Sequence, residues 1–136
     1  MHITPYLGFQ GTCEEAFKLY EKVLNGKITF KMTYGESPMA DQMPPDHRNR
    51  IMHISLQVGD ETISGSDAPP QHYSKPEGFN VAISLKDAAE GERIFKELSA
   101  GGQVQMPFQK TFWSPGFGML VDRYDIPWMV NVEGQM

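Results

Sequence analysis

The sequence has 136 residues, 40% of them apolar, with 2 Trp, 5 Tyr and 8 Phe; this is the composition of a folded chain, and the length suits one self-sufficient domain. Its 12 basic and 17 acidic side chains give a formal net charge of −5, and with no Lys/Arg cluster neither nucleic acid nor an anionic membrane is expected as a partner. The single cysteine cannot form an internal disulfide or a thiolate-rich zinc site, and residues 1–5 lack the charged and apolar regions of a signal peptide, so a cytoplasmic setting is expected.

Residues 3–9 read as a first strand. Gly11-Thr12 then opens a helix with a capping-box pattern, Thr12 as N-cap and Glu15 three residues on. Ala16, Tyr20, Val23 and Leu24 recur at helical spacing, and Gly26 is the expected left-handed stop. Residues 27–34 alternate as a strand, with Ile28, Phe30 and Met32 set against Thr29, Lys31 and Thr33. A loop over 35–49 with three prolines is long enough to form a lid. Residues 51–58, a Gly59-Asp60 turn and residues 61–66 predict a hairpin, followed by a proline-rich crossover.

The second half repeats this order. A strand is expected over 78–85 and a helix over 87–99, ending at Gly101-Gly102. Short strands follow around Val104, Thr111–Phe112 and 117–121, with a last one over 128–132. The pattern is βαβββ twice, with modules of about 1–67 and 78–136 within one domain. A shift of 75 residues lays Tyr20 on Phe95, Val23 on Leu98 and Gly26 on Gly101, whereas the first strand needs a shift of 76, laying Thr4 on Asn80.

Strand side chains alternate between two faces. One face is apolar throughout, from Leu7 and Phe9 through Ile54 and Leu56 to Trp128, Val130 and Val132, and helices should cover it. The other carries Thr4, Tyr6, His53, Ser55, Ser64, Asn80, Ser84, Met129 and Asn131. A solvated sheet face would be rich in Lys and Glu, whereas these small, uncharged polar groups are the kind that orient a small ligand. This face is the candidate binding cleft.

The residues Thr4-Pro5-Tyr6-Leu7, Tyr34-Gly35-Glu36-Ser37-Pro38-Met39, Gly65-Ser66-Asp67, Thr111-Phe112-Trp113 with Gly116-Phe117-Gly118, and Asp122 with Pro127-Trp128-Met129-Val130-Asn131 together resemble the PhnB-like branch of the vicinal oxygen chelate superfamily. Glyoxalase I, bleomycin-resistance proteins and extradiol dioxygenases belong to the same superfamily. The resemblance covers nearly the whole chain. It implies an α+β fold of two βαβββ modules forming an eight-stranded half-open barrel, completed in a homodimer. It also implies four metal-ligand positions, which fall here on Thr4, Ser64, Asn80 and Met129. None is a usual ligand for a divalent ion, because three are neutral oxygen donors and the fourth is a soft thioether. No metal and no cofactor are therefore expected. Asp125 stands where the family's turn would place glycine.

Several residues carry both a functional and a plainer reading. His53 is a candidate general base or a strand histidine bonded to a neighbour. Asp67 is a candidate carboxylate acid or base, or the start of a turn. Arg48 and Arg50 are a candidate anion clamp, or a solvated pair. Trp113, with Phe112 and Phe117, could stack on a flat ligand or close a core or dimer interface. Cys13 sits in the first helical turn, where the helix dipole lowers a thiol's pKa, but no base is paired with it. No glycine-rich strand-to-helix turn points to a dinucleotide or S-adenosylmethionine, so methyltransferase activity is not expected. The leading expectation is a metal-free protein that binds an unknown small molecule through Thr4, Tyr6, Ser64, Asn80, Trp113, Met129, Asn131, Arg48 and Arg50. The alternatives are a metal-dependent lyase, isomerase or dioxygenase acting through His53 and Asp67, and a partner-binding domain with an empty cleft.

Overall fold

The computed structural model describes residues 1–69 and 71–134. The chain divides into two compact units, Met1–Ser74 and Lys75–Met136. Unit 1 contains β1 (Tyr6–Phe9), α1 (Cys13–Val23), β2 (Lys27–Thr33), β3 (Ile51–Val58) and β4 (Glu61–Asp67). Unit 2 contains β5 (Val81–Leu85), α2 (Ala88–Ser99), β6 (Gln103–Gln109), β7 (Gly116–Val121) and β8 (Pro127–Val132). Each unit is one mixed four-stranded sheet carrying one helix. The strand order is β1-β4-β3-β2 in the first and β5-β8-β7-β6 in the second, with the first pair parallel and the others antiparallel in both. This is the α+β organisation expected, with βαβββ used twice.

The helices cover the apolar sheet faces because their own apolar residues recur every three or four positions. Cys13, Ala16, Phe17, Tyr20 and Val23 are buried on α1, and Gly91, Ile94, Phe95 and Leu98 on α2. Beneath them Leu7, Phe9, Ile54 and Leu56 in unit 1, and Trp128, Val130 and Val132 in unit 2, are at most 2% exposed. Each large apolar side chain so buried contributes roughly 1.5–3 kcal/mol.

The two helices differ at their ends. Asp87, expected as the first residue of α2, is its cap and accepts from the N–H groups of Ala89 and Glu90. Thr12 makes no side-chain cap on α1. Asp67, distant in sequence, accepts from Gly11 N–H and Cys13 N–H instead. The left-handed residue after α1 is Asn25 (φ 54°), not Gly26. Gly26 is required for another reason, since a Cβ there would lie 2.8 Å from the Gln57 carbonyl oxygen. Helix α1 has 11 residues and α2 has 12, so buried helix positions superpose at 75 while the stops, Asn25 and Gly101 (φ 78°), superpose at 76.

Several boundaries move. Strand β1 begins at Tyr6, leaving Thr4 exposed ahead of it, and β5 begins at Val81. Strand β6 runs unbroken from Gln103 to Gln109, while Thr111–Ser114 is a turn in which the Thr111 hydroxyl accepts from Ser114 N–H. The loop after β2 is built rather than open. It contains three short 3-10 turns, Tyr34–Glu36, Ala40–Gln42 and Pro45–His47. Tyr34 and Met43 are buried, and the N–H groups of Tyr34 and Gly35 donate to the carbonyls of Arg50 and Arg48. Asp125 adopts φ 72°, the left-handed conformation for which the family's turn uses glycine. Within the crossover, Pro70 lies outside the described residues.

Candidate functional site

On the uncovered face of unit 1, register places Tyr6 beside Ser64, Ser64 beside Ser55, and Ser55 beside Phe30, a single row crossing all four strands. A hydrogen-bonded chain runs through it. The Tyr6 hydroxyl lies 3.1 Å from His53 Nδ1, His53 Nε2 lies 3.2 Å from Ser55 Oγ, and Ser55 Oγ lies 3.0 Å from Ser64 Oγ. A neutral imidazole donates from one nitrogen and accepts at the other, so the chain can be polarised in either direction. If Tyr6 donates inward, the hydroxyl of Ser64 closes the chain. If the direction reverses, the Tyr6 hydroxyl is left free to donate outward. Tyr6 is 54% exposed and Ser64 6%, so the adaptable end is the one that meets solvent. Such a chain can match either an acceptor or a donor on a ligand without any change in charge.

Phe30 joins this site through a bulge that no strand alternation reveals. The β2–β3 register passes from Ile28↔Leu56 to Phe30↔Ser55, leaving Thr29 without a partner. One extra residue reverses the side-chain alternation. Phe30 therefore lies on the open face with His53, the ring centroids 5.7 Å apart, rather than in line with Ile28 under the helix. The Tyr6 ring lies 5.6 Å from the same imidazole. His53 is thus held between two aromatic rings and two hydroxyls. Thr4, Tyr6 and Ser64 also line a cavity of about 490 Å³ together with His2 and Thr62.

The open face of unit 2 has a different chemistry. Asn131 pairs in register with Ser84 and Phe117, and the Trp113 ring packs on Phe117 at 5.2 Å. The adjacent row is Ala82, Met129, Met119 and Met106. The side-chain oxygens of Asn131 and Asn80 are buried and have no hydrogen-bond partner among the described residues. Asn80 also borders a cavity of about 540 Å³ with Phe79, Gln103, Gln105 and Arg123. Phe112 is 87% exposed.

Three expected site residues are placed elsewhere. Asp67 does not project from the face that carries His53. It is 1% exposed, and its oxygens accept from the N–H groups of Gly11, Cys13 and Ile51 at 2.7, 3.1 and 2.8 Å. Three backbone donors tie it to the start of α1 and the start of β3, which makes it a structural staple rather than an acid or base for a ligand on that face. Tyr34 donates to the Asp67 carbonyl oxygen at 2.7 Å, and burial, reinforced by the Asp67 charge, pushes its phenol above the usual range. Arg48 and Arg50 do not act as a pair: Arg48 Nε donates to the Ala40 carbonyl, whereas Arg50 turns to His47. Cys13 is fully buried, and burial with the Asp67 charge beside it pushes the thiol up, overriding the helix dipole.

The residues at the four metal positions do not fit a divalent ion. In unit 1, Thr4 offers a neutral hydroxyl and the Ser64 hydroxyl is engaged by Ser55. Both nitrogens of His53, the imidazole of that face, are engaged as well. In unit 2, Asn80 and Met129 supply an amide and a thioether. Nor do three or more His, Cys, Asp or Glu side chains converge anywhere among the described residues.

The chain is 32% identical over 143 residues to protein YjdN of Escherichia coli K12, covering 99% of this chain and 97% of that one. The crystal structure of PA1353 from Pseudomonas aeruginosa is 40% identical with a TM-score of 0.90, covering 98% of both chains. The Bacillus cereus PhnB protein, described as a putative 3-demethylubiquinone-9 3-methyltransferase, shares the fold at 21% identity and TM-score 0.83, over 98% of this chain and 100% of that one. The fosfomycin resistance protein FosX of Listeria monocytogenes shares it at 6% identity and TM-score 0.68, over 98% and 94% of the two chains. No helix among the described residues is long and apolar enough to cross a membrane. With residues 1–131 matching the family described as 3-demethylubiquinone-9 3-methyltransferase, the chain belongs to that family, the PhnB-like branch of the vicinal oxygen chelate superfamily.

Proposed function

We propose that the chain is a small-molecule-binding protein of the PhnB-like glyoxalase and bleomycin-resistance type, working in the cytoplasm as a homodimer and without the superfamily's metal. The observation that carries this reading is the Tyr6–His53–Ser55–Ser64 chain flanked by the Phe30 ring. It combines apolar walls with a few convergent, uncharged polar groups, the composition of a site that orients a small ligand by hydrogen bonds and stacking. The donor chemistry at Thr4, Ser64, Asn80 and Met129 supports the metal-free part, because neutral hydroxyls and amides repay an ion's dehydration poorly.

A thermal-shift screen with antibiotics, carbonyl compounds and aromatic acids tests the reading, since a ligand that binds only the folded state raises the melting temperature. His53→Ala should then weaken any hit by about 1–3 kcal/mol, the cost of losing a half-buried polar partner, while the protein still folds. Unchanged affinity in that variant would overturn the assignment of the site. One equivalent of Zn, Ni, Mn or Fe per chain surviving dialysis would overturn the metal-free reading, and a 15 kDa monomer by light scattering the dimeric one.

A further inference from the structure

We propose that a cavity beside the start of α1 in unit 1, built around Arg50, is a binding site for a small oxyanion such as a carboxylate, phosphate or phosphonate group, separate from the face that carries His53. The cavity measures about 290 Å³ and is lined by Gln10, His47, Arg50, Gln71 and Tyr73, together with Ala68 and Pro69. Among these described lining residues there is a guanidinium and no carboxylate.

The arginine is held in place before any ligand arrives. Its backbone N–H donates to the His47 carbonyl, and its own carbonyl accepts from Tyr34 N–H, both at 3.0 Å. Its Nη1 donates to His47 Nε2 at 3.0 Å. A guanidinium can only donate, so Nε2 must be the unprotonated nitrogen and the imidazole hydrogen sits on Nδ1. That imidazole is 9% exposed. The other edge of the guanidinium lies along Gly11, where a Cβ would be 3.3 Å from both Cζ and Nε. Gly11 has φ 94°, so its lack of a side chain serves both the turn and the close approach of the arginine.

The charge of Arg50 is unanswered. Ion pairs in unit 1 join Lys18 and Lys31 to Glu14; among the described residues none includes Arg50, and the contact of the neutral His47 ring with Asp46 at 3.8 Å is not one in this tautomer. Asp67 shares Gly11 with it but spends its oxygens on three backbone N–H groups. A half-buried guanidinium with one neutral partner keeps most of its five donors for something else, and its fork matches the two oxygens of an oxyanion. The amide groups of Gln10 and Gln71 add neutral donors around it. Helix α1 is not the source of attraction, because the N–H groups of Gly11 and Cys13 are already bound to Asp67.

The test is differential scanning fluorimetry with inorganic phosphate, methylphosphonate and acetate, each against sodium chloride at matched ionic strength. At tenfold excess over Kd, an anion at this site should raise the melting temperature by about 4–6 °C. Arg50→Gln should abolish the rise and Arg48→Gln should keep it. No rise beyond that of sodium chloride with any of the three anions, or an equal rise in Arg50→Gln, would overturn the proposal. Should Arg50→Gln fail to fold, the wild-type protein decides by itself. Phosphate should shift the side-chain amide NMR signals of Gln10 and Gln71 while those of Gln57 stay in place, and unmoved Gln10 and Gln71 signals would overturn it. A failure here leaves the His53 site standing, because that site is read with different probes and a different variant.

Discussion

Units 1 and 2 share topology and helix placement, yet their open faces differ in kind. In unit 1 that face is a connected set of hydroxyls and an imidazole, each group satisfied by the next. In unit 2 it is a field of methionine and aromatic side chains in which the Asn131 oxygen finds no partner among the described residues. The buried stripes of the two helices, by contrast, correspond position by position: Tyr20 matches Phe95, and Val23 matches Leu98. Packing fixes the covered side of each sheet to a few shapes, whereas the open side is free to take on chemistry.

The two buried aspartates sharpen this comparison most strongly. Asp122 accepts from the N–H groups of Tyr124 and Ile126 within its own turn and from Trp128 Nε1. Asp67 instead joins segments that begin at Gly11 and at Ile51. Asp67→Ala is expected to cost about 3–5 kcal/mol, since it leaves three backbone donors without their partner, those of Cys13 and Ile51 in the interior, and unties two segments distant in sequence. Asp122→Ala should cost less, about 2–3 kcal/mol, because two of the donors it leaves belong to its own short turn and no distant segments come apart. Urea denaturation measures both, and equal losses would show that the reach of the staple is irrelevant.

Cys13 comes next in size. Burial raises its thiol pKa, so the folded state holds the proton that the unfolded chain gives up near the ordinary thiol pKa of about 8.5. Its contribution is therefore complete below that pH and is lost as pH rises towards the folded value, at up to about 1.4 kcal/mol per pH unit. The alkaline fall in stability should be shallower in Cys13→Ala. The native thiol should also resist a disulfide reagent until the protein unfolds. Unit 2 has Ala88 at the position matching Cys13, and so adds nothing to this alkaline loss.

On the open faces, Ser55→Ala should destabilise by about 1 kcal/mol by cutting the hydroxyl–imidazole chain. Asn131→Leu should be neutral or stabilising by up to about 1 kcal/mol, because it removes a buried oxygen that has no partner. A loss in both variants would indicate that Asn131 is satisfied in the folded protein after all.

Much of this was legible in the sequence, for a physical reason. Burial writes itself as periodicity, so Leu7, Ile54, Trp128 and the helix stripes could be assigned from spacing alone. The helix start at Asp87 was legible too, because its cap is local. What escaped was decided at a distance or by one inserted residue. The cap on α1 comes from Asp67, so the Thr12–Glu15 pattern pointed to a local bond that does not form. The bulge at Thr29 turned Phe30 to the open face, and a strict alternation placed it on the other. A polar Thr between two apolar residues gives no warning of a bulge, because it is also what an ordinary strand contains. The separation of Arg48 from Arg50 was hidden likewise, since it depends on 3-10 turns held together by backbone carbonyls.

The smallest expected effect concerns how each helix uses its surface charge. In unit 2, Arg93 bonds to Glu90 and Glu97 on the same helix. In unit 1, Glu14 on α1 reaches Lys31 on β2 at 2.8 Å, so the pair ties helix to sheet. The Lys31 hydrogen bond holds the Glu14 carboxyl below its ordinary value. A depressed carboxyl stabilises the fold above its unfolded pKa, and that contribution is lost as pH falls through the folded value, below about pH 4.5. Both partners are solvated, so the contribution is small and screened by salt. Glu14→Gln should therefore lower the urea midpoint slightly at pH 7 and low ionic strength. The difference from wild type should vanish as pH drops through the acid range, and shrink in 1 M sodium chloride. Glu97→Gln should show the same salt dependence with a smaller shift in midpoint, because a bond within one helix does not resist separation of that helix from its sheet. An equal or larger shift for Glu97→Gln would mean that the helix-to-sheet link carries no extra stability, and that the two units differ only in the chemistry of their open faces.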